Sequence, residues 1–409
     1  MIASPVQEPV QRRVILVDDD LLLLGRYRKA FTAQNLPWHV EYADNAARAL
    51  SKMHQSSFDA AVVDLLMPET DTHKLLQEIA AKYPSTLRIA VSDQEKRTAL
   101  QLKAPAHQHL AKPFDFGLLH SSLQRAFEAG DLLPSGKLKQ MLAGIQTLPT
   151  PPSVYTEVLR ELQSPDPDME KAGEIIGKDL ALIAKLLQLV NSAFFGLPRT
   201  ISSPVEAAMF LGTGTLKALV LSIQTFTQFA KPDLELINQE NLWQHSWQTG
   251  VFAKSICETE RADFELTQNT FIAALLHDIG KLLLAASFPD EYRAALNLAK
   301  AEALPEWEAE LQLYQATHSE VGGYLLGLWG LAPSITSAVA YHHRPEIVSD
   351  RGLTPLLVVH AANLLAHNTA IEFAQLPDRT RNFFEGVGGE SKYETWRQAC
   401  LQASSRKSD

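Results

Sequence analysis

Hydrophobic periodicity changes once along the 409 residues, near residue 130. Before that point short apolar runs alternate with helical patterns. Val14 to Val17, His39 to Tyr42, Ala60 to Val63, Leu87 to Val91 and Gln108 to Ala111 read as strands. Asp64 ends the third, and Lys112-Pro113 stops the fifth. Helical stretches follow, the first to about Gln34, the next from about Asn45, the last from about Phe116 to Ala129. Five strands alternating with five helices predict a parallel sheet covered on both faces, a doubly wound α/β domain of flavodoxin type.

Gly130 and Leu133-Pro134-Ser135-Gly136 mark a boundary. From Lys137 to about Ala370 helical periodicity is nearly continuous, with breaks at 149–152, 164–168, 196–204, Lys231-Pro232, Phe288-Pro289, Leu304-Pro305, Ala332-Pro333 and Arg344-Pro345. This predicts an all-α domain. Residues 378–391 read as loop and 392–403 as one last helix. The expected division is a first domain at 12–130, a linker at 131–137, a helical domain at 138–375 and a C-terminal tail at 376–409.

No run of ~18 apolar residues is present, which argues against a membrane span. The start, MIASPVQEPVQRR, lacks the apolar core of a secretory signal. Cys257 and Cys400 form no disulfide framework, so a cytoplasmic location is expected. Residues 11–130 hold 15 Lys and Arg against 14 Asp and Glu, and residues 131–409 hold 22 against 32. The acidic second part lacks the basic footprint of a sequence-independent DNA binder.

In a doubly wound sheet, ligands bind at the carboxyl ends of the strands. Asp18 and Asp19 follow the first strand and Asp64 ends the third. Clustered carboxylates repel unless a cation neutralises them, and a hard divalent ion, Mg²⁺ by preference, suits them. Ser92 and Lys112, at the ends of the fourth and fifth strands, would meet an arriving anion. Nucleophile, metal, hydroxyl and fixed positive charge together make the apparatus for phosphoryl transfer to a carboxylate. A strand-terminal Asp alone is more often a helix N-cap.

Residues 12–128 resemble the receiver domain of two-component response regulators, through VILVDDD, VVDLLMP, IAVSD and HLAKPF. The resemblance implies that Asp64 accepts a phosphoryl group from a sensor histidine kinase. It implies Mg²⁺ on Asp18, Asp19 and Asp64, and phosphoryl oxygens on Ser92 and Lys112. His109 stands where the family carries its aromatic switch residue. The chain departs from the family at Asp71-Thr72, where Asp-Gly is usual, and at Asp93, where a small residue is usual. These departures imply slow phosphorylation.

The second part distributes histidines over several apolar segments. His277-Asp278 lie in AALLHDIGKLLL, read as one helix, with Lys281 one turn beyond. His245 opens HSWQTGVFAKSI, His318 opens HSEVGGYLLGLWG, His342-His343 end PSITSAVAYHH, and His360 lies in LLVVHAANLLA. An α-bundle with His and Asp on facing helices can build a metal site in its core, and nitrogen-rich ligands favour Fe, Zn, Mn or Ni over Mg. The bland alternative stays open: a His at a helix end caps carbonyls, and a buried His-Asp pair satisfies itself. Cys257 and the tryptophans Trp243, Trp247 and Trp329 read as core.

Residues 138–370 resemble the HDOD domain, within the HD superfamily of metal-dependent phosphohydrolases. The stretches IIGKDLALIAKLLQLVNSAFFG, ISSPVEAAMFLGTGTLKALVLS, LLHDIGK, THSEVGGYLLGLWGLAP and AVAYHH carry the likeness. Active members have a first His, a His-Asp doublet and a late Asp, which here fall on His245, His277-Asp278 and Asn363. His318, His342 and His343 fall where metal-dependent cyclic-dinucleotide phosphodiesterases of the superfamily carry further ligands, and Lys281 is the candidate catalytic cation. The Gly-Tyr-Pro signature of those enzymes is absent; Arg344-Pro345 follows His343. HDOD domains are generally regarded as signalling outputs, so the expectation is a phosphorelay response regulator acting through an unidentified protein partner. The alternatives are a phosphohydrolase of a nucleotide or cyclic dinucleotide, and a nucleotide sensor without turnover. The oligomeric state stays open, a homodimer included.

Overall fold

A computed structural model describes residues 11–405 except 35, 68–71, 94–104, 113, 132–148, 150, 165, 193–194, 196, 198–199, 230–235, 349 and 351. At 93, 109, 111 and 129 the backbone alone is described. The chain divides into two compact units that part near residue 130.

The first unit is a five-stranded parallel sheet of order β2-β1-β3-β4-β5. Its strands are β1 (Arg12–Val17), β2 (Trp38–Ala43), β3 (Ala60–Asp64), β4 (Leu87–Asp93) and β5 (Gln108–Lys112). Helices α1 (Leu21–Ala33), α2 (Ala46–Gln55), α3 (Thr72–Lys82) and α4 (Phe116–Asp131) connect and follow them. The helix expected between β4 and β5 falls on 94–104, outside the described residues.

Burial explains the strand compositions. Val14 to Val17 and Ala60 to Val63 are buried, as strands covered on both faces must be. Edge strand β2, WHVEYA, is mostly half-exposed and mixes polar with aromatic residues. Asp20 ends the β1 loop by accepting the Leu22 and Leu23 N–H groups, an ordinary N-cap for α1. That leaves its neighbours Asp18 and Asp19 for other work.

The second unit contains fourteen α-helices among the described residues, from α5 (Ser153–Leu162) onward. They continue as α6 (Met169–Ile176), α7 (Leu180–Val190), α8 (Pro204–Gln228), α9 (Gln239–Thr259), α10 (Phe264–Leu276) and α11 (Ile279–Ser287). Next come α12 (Pro289–Glu302), α13 (Glu306–Tyr314), α14 (His318–Leu328), α15 (Pro333–Tyr341) and α16 (Pro355–His367). The last two are α17 (Asp378–Glu385) and α18 (Gly389–Ser405).

Among the described residues, four prolines are α-helix starts. Pro204, Pro289, Pro333 and Pro355 occupy the first helical position, where the missing N–H costs nothing. Asp168, Asp179, Asn238, Asp263 and Thr354 cap α6, α7, α9, α10 and α16 with side-chain oxygens. Gly212 interrupts α8 at φ 69° and ψ 170°, a conformation that needs glycine.

Three local expectations are corrected. Residues 378–385 form helix α17 where a loop was expected, because Phe383 and Phe384 give that short polar stretch a buried face. His245 lies in the second turn of α9, which starts earlier, at the Asn238 cap. AALLHDIGKLLL is two helices, parted at Asp278, whose ψ of 9° opens the ladder. Two stretches, 204–228 and 264–287, are long and apolar enough to cross a membrane, and 56% and 78% of their apolar windows are buried within the protein. Cys257, Cys400, Trp243, Trp247 and Trp329 are buried.

Candidate functional site

The sheet register assembles the acidic site. Val17 pairs with Val63, so Asp18 and Asp64 leave neighbouring strands side by side, and Asp93 pairs with Lys112. Lys112 Nζ reaches Asp18 Oδ2 at 2.7 Å and Asp64 Oδ2 at 2.8 Å. The remaining oxygens accept backbone N–H groups, Asp18 Oδ1 from Asp20 at 2.9 Å and Asp64 Oδ1 from Leu66 at 3.0 Å. Asp19 is exposed, and one carboxylate oxygen from each of Asp18, Asp19 and Asp64 lies within 4.8 Å of the others.

The electrostatics fit a site awaiting positive charge. Burial pushes the Asp18 carboxyl up, and the nearby Asp64 charge adds to this, against the hydrogen bonds from Lys112 and Asp20. Burial disfavours the Lys112 ammonium, yet its bonds to Asp18 and Asp64 hold its pKa above the ordinary value. One cation facing three carboxylates leaves the cluster net negative. Three hard oxygens at this spacing suit Mg²⁺. Ser92 is buried at the end of β4. His109 lies on β5, and its side chain, with those of Asp71 and Asp93, is outside the described residues.

In the helical unit, six of the eight expected residues converge directly, Lys281 joins through Asp278 and Asn363 through His245. His245 comes from α9, His277 caps α10, and Asp278 precedes α11. His318 opens α14, His342 and His343 follow α15, and Asn363 lies on α16. A close helix approach makes this possible. A Cβ on Gly280 would lie 1.9 Å from the His318 carbonyl oxygen, so only glycine lets α14 bring His318 against Asp278.

Ligand atoms form two groups that share Asp278, one with His245 and His277, the other with His318, His342 and His343. His277 Nδ1 lies 2.8 Å from the Ala274 carbonyl and His342 Nδ1 2.8 Å from that of Val339. Each Nδ1 therefore carries the proton and donates it, which turns the Nε2 lone pair toward the cluster. His342 Nε2 is buried without a hydrogen-bond partner, 3.7 Å from Asp278 Oδ1, which also lies 3.1 Å from His318 Nε2. Orphaned polar atoms of this kind are rare in a folded core. They fit a metal ion.

Charge supports the same conclusion. Burial pushes His277, His342 and His343 down, and His245 down to about 4, so they present neutral imidazoles. Burial also opposes the Asp278 carboxylate, but the Lys281 ammonium beside it holds it well below its usual range. Lys281 Nζ pairs with Asp278 Oδ2 at 3.0 Å and Glu306 at 3.2 Å. His318 differs: burial lowers it, but the Glu310 charge and its bonds to Asp278 and Glu310 bring it up to about 9. His360 stands apart from the cluster, with Nδ1 2.7 Å from the His342 carbonyl, where it fixes the backbone beside that imidazole.

Sequence reasoning missed Glu310 and His367. Glu310 is fully buried, and its Oε2 accepts both the backbone N–H and Nδ1 of His318. An acid within the apolar register of WEAELQLY was the available signal. His367 stacks on His245 with ring centroids 4.3 Å apart. Its place four residues after Asn363 puts both on one helix face.

Residues 14–124 match the response regulator receiver domain family and residues 148–345 the HDOD domain family. An uncharacterized protein of Treponema pallidum (strain Nichols) is 25% identical over 262 residues, 64% of this chain and 50% of that protein. The transcriptional regulatory protein TrcR of Mycobacterium tuberculosis is 28% identical over 145 residues, 32% of this chain and 56% of that protein. The chain thus spans about half the length of these curated relatives. Among solved structures, an HDOD domain protein with unknown function from Geobacter sulfurreducens aligns with a TM-score of 0.52 and 22% identity, over 71% of this chain and 97% of that one. That likeness concerns the fold.

Proposed function

We propose that this chain, a response regulator with an N-terminal receiver domain and a C-terminal HDOD domain, accepts a phosphoryl group on Asp64 from a sensor histidine kinase and delivers its output through a protein partner of the HDOD domain. The observation that carries this reading is Lys112 Nζ bridging Asp18 and Asp64 at the carboxyl edge of the sheet.

An Asp64 carboxylate oxygen attacks the donor's phosphorus, and the bond from phosphorus to the donor nitrogen breaks. Lys112, freed from one carboxylate, binds a phosphoryl oxygen, and the Ser92 hydroxyl donates to another. Asp18 and Asp19, with Asp64, would hold Mg²⁺, which supplies neutralisation of the charge that gathers there. The phosphate then favours one arrangement of β4 and β5, with His109 as the switch position, through contacts made in that arrangement alone. Acetyl phosphate with Mg²⁺ should add ~80 Da to the intact chain and nothing to Asp64→Asn. An unlabelled chain, under conditions that label another receiver, would overturn this reading.

A second reading concerns the HDOD domain itself. The two ligand groups that share Asp278 support a metal centre, and with it hydrolysis of a phosphoester in a nucleotide or cyclic dinucleotide. His245, His277, Asp278, His318, His342 and His343, with Asn363 beside His245, would hold Fe, Mn or Zn. Lys281 would offer its ammonium to a phosphoryl oxygen. Hydrolysis of a nucleotide panel by the metal-supplemented chain, abolished by His277→Ala, is the test. Binding without product would favour a sensor.

A further inference from the structure

We propose that the two ligand groups are unequal: the position made by Asp278, His318, His342 and His343 holds a divalent ion as a resident, and the position made by His245, His277 and Asp278 takes one weakly and exchangeably. This rests on reading the groups as a metal centre and states the order in which it fills.

Four observations separate the positions. The first offers four ligand atoms and the second three. Asp278 divides its oxygens between them. Oδ1 lies 3.1 Å from His318 Nε2 and 3.7 Å from His342 Nε2. Oδ2, 3.6 Å from His277 Nε2, is engaged by the Lys281 ammonium at 3.0 Å, which repels a cation on that side.

Polar satisfaction differs as well. The orphaned His342 Nε2 and Asp278 Oδ1, 3.7 Å apart, both face the four-residue position. An ion there relieves the desolvation of both. Each position holds one pair of imidazoles in contact, His343 Nε2 and His318 Nε2 at 3.2 Å in the first, His245 Nε2 and His277 Nε2 at 3.3 Å in the second. In the second, His245 Nε2 also lies 2.8 Å from Asn363 Oδ1, and an ion must displace that amide contact as well before it binds.

The surrounding charge points the same way. Glu310 places a carboxylate behind His318, which strengthens that imidazole as a ligand. Beside His245 stands the neutral amide of Asn363, a poorer donor than a carboxylate.

The test is a Mn²⁺ titration of the full chain, followed by loss of the free-ion EPR signal, with the receiver site silenced by Asp19→Ala and Asp64→Ala. One tight ion is expected, and a second at least ~10-fold weaker. His343→Ala should remove the tight ion and leave the weak one. Asn363→Asp should strengthen the weak ion ~10-fold and leave the tight one unchanged. Two equal ions, or a tight ion that survives His343→Ala and disappears in His245→Ala, overturns the proposal and leaves the metal centre standing. A folded chain that binds no ion in the helical domain overturns both.

Discussion

Glu310 grips His318 at two points: its Oε2 accepts the backbone N–H at 2.7 Å and Nδ1 at 2.8 Å. Both residues are fully buried, and the imidazole they fix stands 3.1 Å from Asp278. Glu310→Gln keeps the shape and loses the charge. It should weaken metal binding 10–100-fold, by roughly the effect of removing an outer-shell carboxylate. Glu310→Ala should also cost about 3–5 kcal/mol of stability by denaturant unfolding, because it strands His318.

Lys112→Ala should lower the rate of Asp64 labelling by acetyl phosphate about 100-fold, the usual cost of losing one charged donor at an oxyanion. The fold should survive, since Lys112 is partly exposed and its ammonium bonds to Asp18 and Asp64 of the site. Phosphorylation rates of the two chains, measured by intact mass against time, decide it.

Gly280→Ala drives a methyl into the His318 carbonyl. Overpacking of this kind costs about 1–3 kcal/mol. The expected result is a chain that still folds at lower Tm but loses metal, because α14 can accommodate the methyl only by withdrawing His318. Full metal content in Gly280→Ala would remove the glycine from this role.

Asp179 caps α7 through Leu182 and accepts Gln224 Nε2 at 2.7 Å. The Leu182 bond, above all, holds its pKa below the ordinary value. A carboxyl depressed in the folded state contributes stability that is present above its unfolded pKa and lost as pH falls through the folded one. Asp179→Ala should therefore cost about 1 kcal/mol at neutral pH. The difference from the parent chain should shrink below the ordinary Asp pKa and vanish once the folded group is protonated. Urea unfolding of both chains across that range gives the answer.

Much of this was legible in the sequence because each signal is local. A buried parallel strand is a run such as VILV followed by an acid, and β1 and β3 were found within two residues of their ends. Helix starts at prolines were legible because Pro acts within one turn, whereas the start of α9 at the Asn238 cap was not. The acidic and histidine residues that the structure brings together in each domain stand in spaced motifs, which is why the sequence pointed to them. What failed depended on tertiary contact. Helix α17 exists because Phe383 and Phe384 find a core to enter, and periodicity over eight residues is too short to announce it. The break at Asp278 is a small ψ change that an apolar run does not record. Glu310 is eight residues from His318 and reaches it only because α13 and α14 meet.

Helix α18 lies past the last proline break, beyond the end of the HDOD match. It nevertheless buries Tyr393, Trp396 and Cys400 completely. Trp396 Nε1 donates to Glu260 at 2.7 Å, and Ser255 Oγ donates to the Ala399 carbonyl at 3.2 Å, so α18 is fastened to the last turns of α9. The same α9 carries His245 three turns earlier. A fragment trimmed to the motif would leave a greasy strip along that helix open to water, and the resulting aggregation would be mistaken for a defect of the histidines. Any minimal output fragment, tag position or two-hybrid bait must therefore keep the chain through residue 405.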